Sequence, residues 1–292
     1  MFSLENLKKA TPWFVKISAK VILARLPLGW HRWQHLNLFR AGNMDAPATA
    51  FAIFKKHFEA AGFTSLAGCT MLELGPGNSA LSALFAKSLG ATQTWLIDSE
   101  ELASQNTALF VHAAQMLSTL GLQAPEIDPS PSVSRVLEFL NAAYLTKGLE
   151  SLKAVPHGSI DFLFSNAVLE HVRLAEFART VQEMRRVLKP NGIASHQIDF
   201  RDHLQDGLNN LRFSERLWES KFMAGSGFYT NRIGWPAMLK MFEEGGFSAE
   251  LRSSTRWPGG LPTPQKSMAP PFRNLPVEEL MTTGAHVILR LR

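Results

Sequence analysis

The chain has 292 residues, 46% of them apolar and 19% charged, with 30 Lys and Arg against 25 Asp and Glu. That balance excludes intrinsic disorder and collagen-like repetition, and it supplies apolar material for one large core. The net charge of +5 is unevenly placed: residues 1–60 hold nine basic and three acidic side chains, +6, and the other 232 residues hold 21 and 22, −1. A basic head on a neutral body argues against a broad nucleic-acid-binding face, and no nucleic-acid partner is expected. The single cysteine, Cys69, excludes an internal disulfide and a Cys-rich zinc site. No apolar run reaches the ~18–20 residues that span a membrane, so the cytoplasm is the expected compartment.

In the head, Trp13, Ile17, Val21, Ala24 and Leu28 recur at helical spacing, with Lys16, Lys20 and Arg25 off that stripe. The spacing predicts a basic amphipathic helix ending near Pro27. A second helix is expected over residues 47–61, with Phe51, Phe54 and Phe58 on one face, Asp45 as cap and Gly62 as stop. From residue 70 onward, short apolar runs alternate with helical segments, the pattern of a parallel sheet. Strands are predicted at residues 70–74, 94–98, 142–145, 160–165 and 193–199, and helices at 79–89, 100–120, 133–140 and 174–187. Lys189-Pro190-Asn191-Gly192 reads as a turn before the fifth strand. A helix over 234–244, a Gly245-Gly246 stop and strands at 248–253 and 286–291 complete the set. The last strand has no helix before it, so it must pair antiparallel with its predecessor. Residues 202–231 and 254–276 fit no regular element and have the length of lids or binding loops. The expected fold is therefore α/β: a Rossmann-like seven-stranded mixed sheet with helices on both faces and a C-terminal antiparallel hairpin. The expected division is a basic helical cap over residues 1–65 and one domain over 66–292.

The most informative stretch is Met71-Leu72-Glu73-Leu74-Gly75-Pro76-Gly77-Asn78-Ser79, which ends a buried strand, turns on two glycines and opens a helix. Backbone can approach a ligand closely there, with a helix N-terminus facing it. The spacing Gly75-x-Gly77-x-x-Ala80, with Asp98 closing the next strand, also fits a dinucleotide fingerprint. Two residues oppose that reading. Pro76 has no N–H to offer a diphosphate, and Glu73 suits a cationic amino-acid ligand better than a phosphate.

On these residues the sequence resembles the class I S-adenosylmethionine-dependent methyltransferases, whose first motif is acid-x-Gly-x-Gly. Residues 159–172 are similar to the fourth-strand motif of their small-molecule branch, and residues 186–192 to the turn before their fifth strand. The resemblance covers residues 66–292 and implies S-adenosyl-L-methionine as cofactor. By position it assigns Glu73, Gly75, Gly77 and Asn78 to the methionine portion and Asp98 to the ribose hydroxyls. Ser165 and Asn166, closing the fourth strand, join the cofactor-facing set, and residues 146–149 fall near the adenine. A narrower likeness points to methyltransferases of bacterial surface-polysaccharide or lipid gene neighbourhoods.

Methyl transfer needs alignment of the acceptor and, for a hydroxyl, a base. Ligands in such sheets lie beyond the carboxyl ends of the strands, so the candidates come from strands four and five. His171 is the leading candidate base, because its imidazole is neutral near physiological pH; its alternative is to cap or pack the following helix. Asp199 with His203 is a second base candidate, and His196, inside its strand, reads as a core or pocket-wall residue. Glu170, Arg201, Tyr229, Arg232 and Trp235 are candidate acceptor contacts, since rings stack on sugars and Arg pairs with phosphate.

Ser165-Asn166-Ala167-Val168 lacks the Asn-Pro-Pro-aromatic clamp of base and glutamine N-methyltransferases, and Cys69 lies before the first strand, away from a nucleophile's place. No carboxylate or histidine cluster shows metal-ligand spacing. The favoured reading is metal-independent O-methylation of a small-molecule, sugar or lipid-linked acceptor. An NAD-type oxidoreductase and a non-enzymatic binding module on the same fold stay open. The head has two uses: a cap on the acceptor site, or, through residues 1–30, an interfacial helix on anionic lipid.

Overall fold

A computed structural model describes residues 15, 44–128, 132–204 and 207–292. The basic stripe expected over residues 13–28, and with it the choice between cap and interfacial helix, lies outside the described residues apart from Val15. Among the described residues no helix is long and apolar enough to cross a membrane.

The chain order is α1 (Pro47–Ala60), β1 (Thr70–Leu74), α2 (Ser82–Ser88), β2 (Gln93–Ile97), α3 (Ala108–Thr119), α4 (Val133–Phe139), β3 (Ala142–Leu145), α5 (Leu149–Lys153), β4 (Ile160–Asn166), α6 (Leu174–Val187) and β5 (Leu188–Asp199). It continues with α7 (Glu215–Trp218), α8 (Lys221–Ala224), α9 (Trp235–Glu244), β6 (Phe247–Arg256), α10 (Pro270–Arg273), α11 (Val277–Leu280) and β7 (Thr282–Leu291). The seven strands form one sheet in the order β3-β2-β1-β4-β5-β7-β6. The first five run parallel, and β7 lies antiparallel between β5 and β6. The α/β class, the mixed sheet and the terminal antiparallel pair are as expected.

Both faces of the sheet are covered. On one, α1 to α4 pack Phe54, Phe85, Phe110 and Leu137 onto Met71, Phe162 and Phe164. On the other, α5, α6 and α9 pack Leu152, Phe177, Met184 and Phe242 onto Leu72, Leu163 and Val287. A fully buried Phe or Leu contributes about 1.5–3 kcal/mol relative to exposure, so each layer is held by its own apolar stripe. Phe54 lies edge-on to Phe164 at 5.8 Å, which places α1 in the core of the sheet domain.

Several boundaries differ from expectation for identifiable reasons. Helix α1 has Ala46 as its N-cap with no side-chain cap, so Asp45 does not serve; the Gly62 stop is real, with φ +86°. Helix α2 begins at Ser82 because the Ser79 hydroxyl accepts from Leu81 N–H and holds the preceding residues in a turn. The Gly turn therefore does not open directly into a helix N-terminus. Helix α3 begins at Ala108, whose N–H donates to Asn106 Oδ1, while the Tyr144 hydroxyl takes the N–H groups of Leu102 and Ala103. Lys189-Pro190-Asn191-Gly192 is a bulge within β5 rather than a turn before it: Ile160 pairs with Leu188, and Phe162 with Ile193. The two long segments are not bare loops, since they contain α7, α8 and α10. They also pack on each other through Leu208, Leu211 and Met268.

Candidate active site

Beyond Leu74 the chain turns through Gly75 (φ +69°) and Gly77 (φ +66°), a conformation glycine adopts without steric cost. A Cβ on Gly75 would lie 2.3 Å from a Val168 methyl, so only hydrogen fits there. Gly77 N–H donates to Asp98 Oδ2 at 3.0 Å and Ser99 N–H to Oδ1 at 2.7 Å, which ties the end of β2 to the Gly turn. Gly75, Asp98, Gly148, Leu149, Val168 and His171 are among the residues lining a cavity of about 210 Å³.

Glu73 lies beneath this turn, 1% exposed, and its Oε2 has no hydrogen-bond partner among the described residues. Burial pushes its carboxyl up to about 8; the Ser82 hydroxyl acts against that rise and Asp98 adds to it. Burial also raises Asp98, against the N–H groups of Gly77 and Ser99. Asn78 Oδ1 is a second buried acceptor without a partner. Orphaned acceptors beside a glycine cradle fit a ligand that brings cationic and hydroxyl donors, which a diphosphate does not offer.

At the end of β4, Ser165 is fully buried, with its Oγ 2.7 Å from His196 Nδ1. Its side chain therefore belongs to the core and not to the cavity, and His196 is the core histidine of the two readings offered for it. Asn166 is half-buried, its Oδ1 3.4 Å from His57 Nε2. Ala167 then takes φ +54°, where a Cβ costs about 1–2 kcal/mol. That reversal sets Val168 against Gly75 and starts a 3₁₀ turn over Leu169–His171.

This turn divides two cavities. His171 lines the first, and Glu170 lines a second of about 50 Å³, together with Asp199, Phe200, Asn210, Arg232 and Trp235. Glu170 is 2% exposed; Oε1 accepts from Asp199 N–H at 3.3 Å, and Oε2 has no partner among the described residues. Burial pushes it up to about 8. His171 Nδ1 donates to the Tyr229 carbonyl at 2.8 Å, so its Nε2 carries the lone pair. Burial, then His203, hold the ring down at about 4, making it neutral but a weak proton acceptor.

Of the expected pair of Asp199 and His203, Asp199 is bound by Arg201. Both Asp199 oxygens are taken by Arg201, Oδ1 from Nε at 2.9 Å and Oδ2 from Nη2 at 2.7 Å. Arg201 is accordingly matched within the protein, while the His203 ring stands edge-on to His171, centroids 4.6 Å apart. Tyr229 is also placed differently: its hydroxyl donates to Glu219 and accepts from Leu174 N–H, and its ring stacks on Trp218. Its contribution to the site is the carbonyl that holds His171. Arg232, at φ +61°, lies over the rings of Trp218 and Phe272 and leaves Nε without a hydrogen bond among the described residues.

Two groups in the site had no sequence signal. Asn231 donates from Nδ2 to the carbonyls of Leu169 and Val172, and its N–H to that of Glu170, clamping the turn that carries Glu170 and His171. One nitrogen or oxygen atom each from Glu170, His171 and His203 lies within 4.8 Å of the other two, a cluster assembled from two loops.

Residues 72–195 match the family model described as a methyltransferase domain. No curated protein matches the chain. Among solved structures, the chain is similar to phosphoethanolamine N-methyltransferase 2 of Haemonchus contortus with bound S-adenosyl-L-methionine, at 14% identity and a TM-score of 0.46 over 82% of this chain and 52% of that one. The chain thus spans about half the length of that enzyme. It is similar also to the YcgJ protein of Bacillus subtilis (15% identity, TM-score 0.44, 81% of this chain and 95% of that one). A third is an S-adenosylmethionine-dependent methyltransferase of Mesorhizobium loti (15%, 0.44, 82% and 96%). With the motifs and sheet described above, residues 72–195 thus match a methyltransferase domain.

Proposed function

We propose that the protein transfers the cofactor's methyl group to a hydroxyl oxygen of a small-molecule, sugar or lipid-linked acceptor. The observation that carries this reading is the pair of cavities meeting at one turn, with His171 on the first wall and Glu170 on the second. The fit to the cofactor rests on Gly75, Asp98 and Gly148 in the wall of the first cavity and on the orphaned Glu73 and Asn78 oxygens of the adjoining strand and turn. Glu73 faces the methionine ammonium, Gly75 and Gly77 let backbone approach the ligand, and Asp98 takes the ribose hydroxyls. Leu149 and Leu152 line the apolar side of that cavity.

When bound, the cofactor supplies a methyl group already activated on sulfonium sulfur. The protein's own work is to align the acceptor and exclude water. Phe200, Trp235 and Phe272 offer ring faces in the second cavity, and Asn210, Thr230 and Arg232 offer polar contacts, a mixture suited to a hydroxylated acceptor. The acceptor proton is lost at the cluster of Glu170, His171 and His203. Residues 66–292, with α1 packed on their sheet, form the transferase unit on this reading.

Calorimetry and product analysis test it. S-adenosylhomocysteine is expected to bind wild-type protein and to bind Asp98→Asn at least about tenfold more weakly, each charge-assisted bond being worth about 1.5–3 kcal/mol. Transfer of labelled methyl to hydroxylated acceptors is expected to give ethers. Labelling only of nitrogen or carbon, or equal binding by the variant, overturns the reading.

A further inference from the structure

We propose that Glu170, His171 and His203 bind one divalent transition-metal cation at the wall between the two cavities. Its role rests on the methyl-transfer reading: the cation receives the acceptor oxygen.

The geometry has the parts such a site needs. One ligand atom from each residue lies within 4.8 Å of the others. Nitrogen and oxygen ligands ~2.0–2.2 Å from one tetrahedral ion stand roughly 3.3–3.6 Å apart, so side-chain rotation of about 1.5 Å closes the set. His171 is held as a ligand is held, with Nδ1–H on a backbone carbonyl and the Nε2 lone pair available. Glu170 is oriented likewise by Asp199 N–H on Oε1. The other oxygen, Oε2, is buried with no partner among the described residues, in a side chain that is 2% exposed. A buried oxygen in that position calls for a donor or a cation, and the nearby Arg201 is bound to Asp199 through two bonds.

The donor set also selects the ion. Two imidazoles and one carboxylate suit Mn²⁺, Fe²⁺, Co²⁺ or Zn²⁺ better than the hard, oxygen-seeking Mg²⁺ or Ca²⁺. Three protein ligands leave at least one position open, where an acceptor hydroxyl binds and is acidified. Its O–H bond breaks with the electron pair left on oxygen, the proton goes to water, and the alkoxide is the nucleophile for the methyl. The sequence could not show this, because the cation's ligands come from the turn after β4 and the loop after β5.

The full chain, freed of metal by a chelator, is titrated with Co²⁺ under visible absorption and with Zn²⁺ by calorimetry. One site per chain is expected, with the absorption of Co²⁺ bound to nitrogen and oxygen. His203→Ala and Glu170→Gln are each expected to weaken it at least about tenfold, the lower end of what even an outer-shell change does. S-adenosylhomocysteine affinity of His203→Ala is expected within about twofold of wild type, which shows an intact fold. Wild-type protein that binds S-adenosylhomocysteine but neither metal overturns the proposal, as does metal uptake that the two variants leave unchanged. Metal uptake lost in the variants, by a protein that transfers no methyl to oxygen, supports the site and sinks its assigned role.

Discussion

Glu73→Gln replaces one buried oxygen by an NH₂ group of nearly the same shape, and its consequences follow from a single shift. The carboxyl sits at about 8 in the folded protein against an ordinary 4.5. Below pH 4.5 both folded and unfolded chains hold the proton and the group is neutral in the balance. As pH rises further the unfolded chain ionises while the folded one does not, so the ligand-free protein is progressively destabilised until about pH 8, then no further. At 1.36 kcal/mol per unit, the penalty at pH 7 is about 3 kcal/mol. The Gln variant is therefore expected to gain on wild type by roughly 3 kcal/mol between pH 5 and pH 8 in urea unfolding of the ligand-free protein. Cofactor binding should run the other way. An ammonium ligand needs the charged carboxylate, so binding releases a proton, and wild-type affinity for S-adenosylhomocysteine should rise about tenfold from pH 6 to pH 7 and level off above pH 8. Glu73→Gln should lose that slope and fall at least about tenfold below wild type at pH 8. A pH-flat wild type, or a variant that binds equally well at pH 8, refutes the assignment of Glu73 to the ligand's cationic end.

Gly75→Ala forces a Cβ into the left-handed region and to 2.3 Å from Val168. It should destabilise by at least about 1–2 kcal/mol and weaken S-adenosylhomocysteine binding more than tenfold, read by thermal unfolding and calorimetry. Asn231→Ala removes two hydrogen bonds to the carbonyls of Leu169 and Val172. A loss of about 2–3 kcal/mol is expected in urea unfolding, with methyl transfer reduced more than cofactor affinity. Equal losses in both would show the clamp to be purely structural.

The legible parts of the molecule were those with local signals. Strands β1 and β3 and helix α6 have the expected bounds because each is a short run whose ends are marked by residues close in sequence. The glycine turn and its tie to the end of β2 at Asp98 were legible for the same reason, since both lie at marked strand ends. Ser165 was misplaced because β4 is buried on both faces, and an apolar run carries no alternation to tell core from cavity. Tyr229 was read as a ligand contact because its partner Glu219 comes near only when the 202–231 segment folds; Arg201 was read so although its partner Asp199 lies only two residues earlier. The clamp by Asn231 and the approach of His203 to His171 join segments far apart in sequence, and nothing in either segment announces the other.

The contact between the two long segments has a mechanical consequence. Leu208 N–H donates to Thr263 Oγ1 and Ala269 N–H to the Leu211 carbonyl, beside the apolar contacts of Met268. Each segment is thus the other's latch, and they stand over a second cavity of only about 50 Å³. Leu208 and Leu211 of one segment and Phe272 and Leu275 of the other line that cavity together, so its shape depends on the latch holding, and substitutions at Leu211 or Met268 would reshape it.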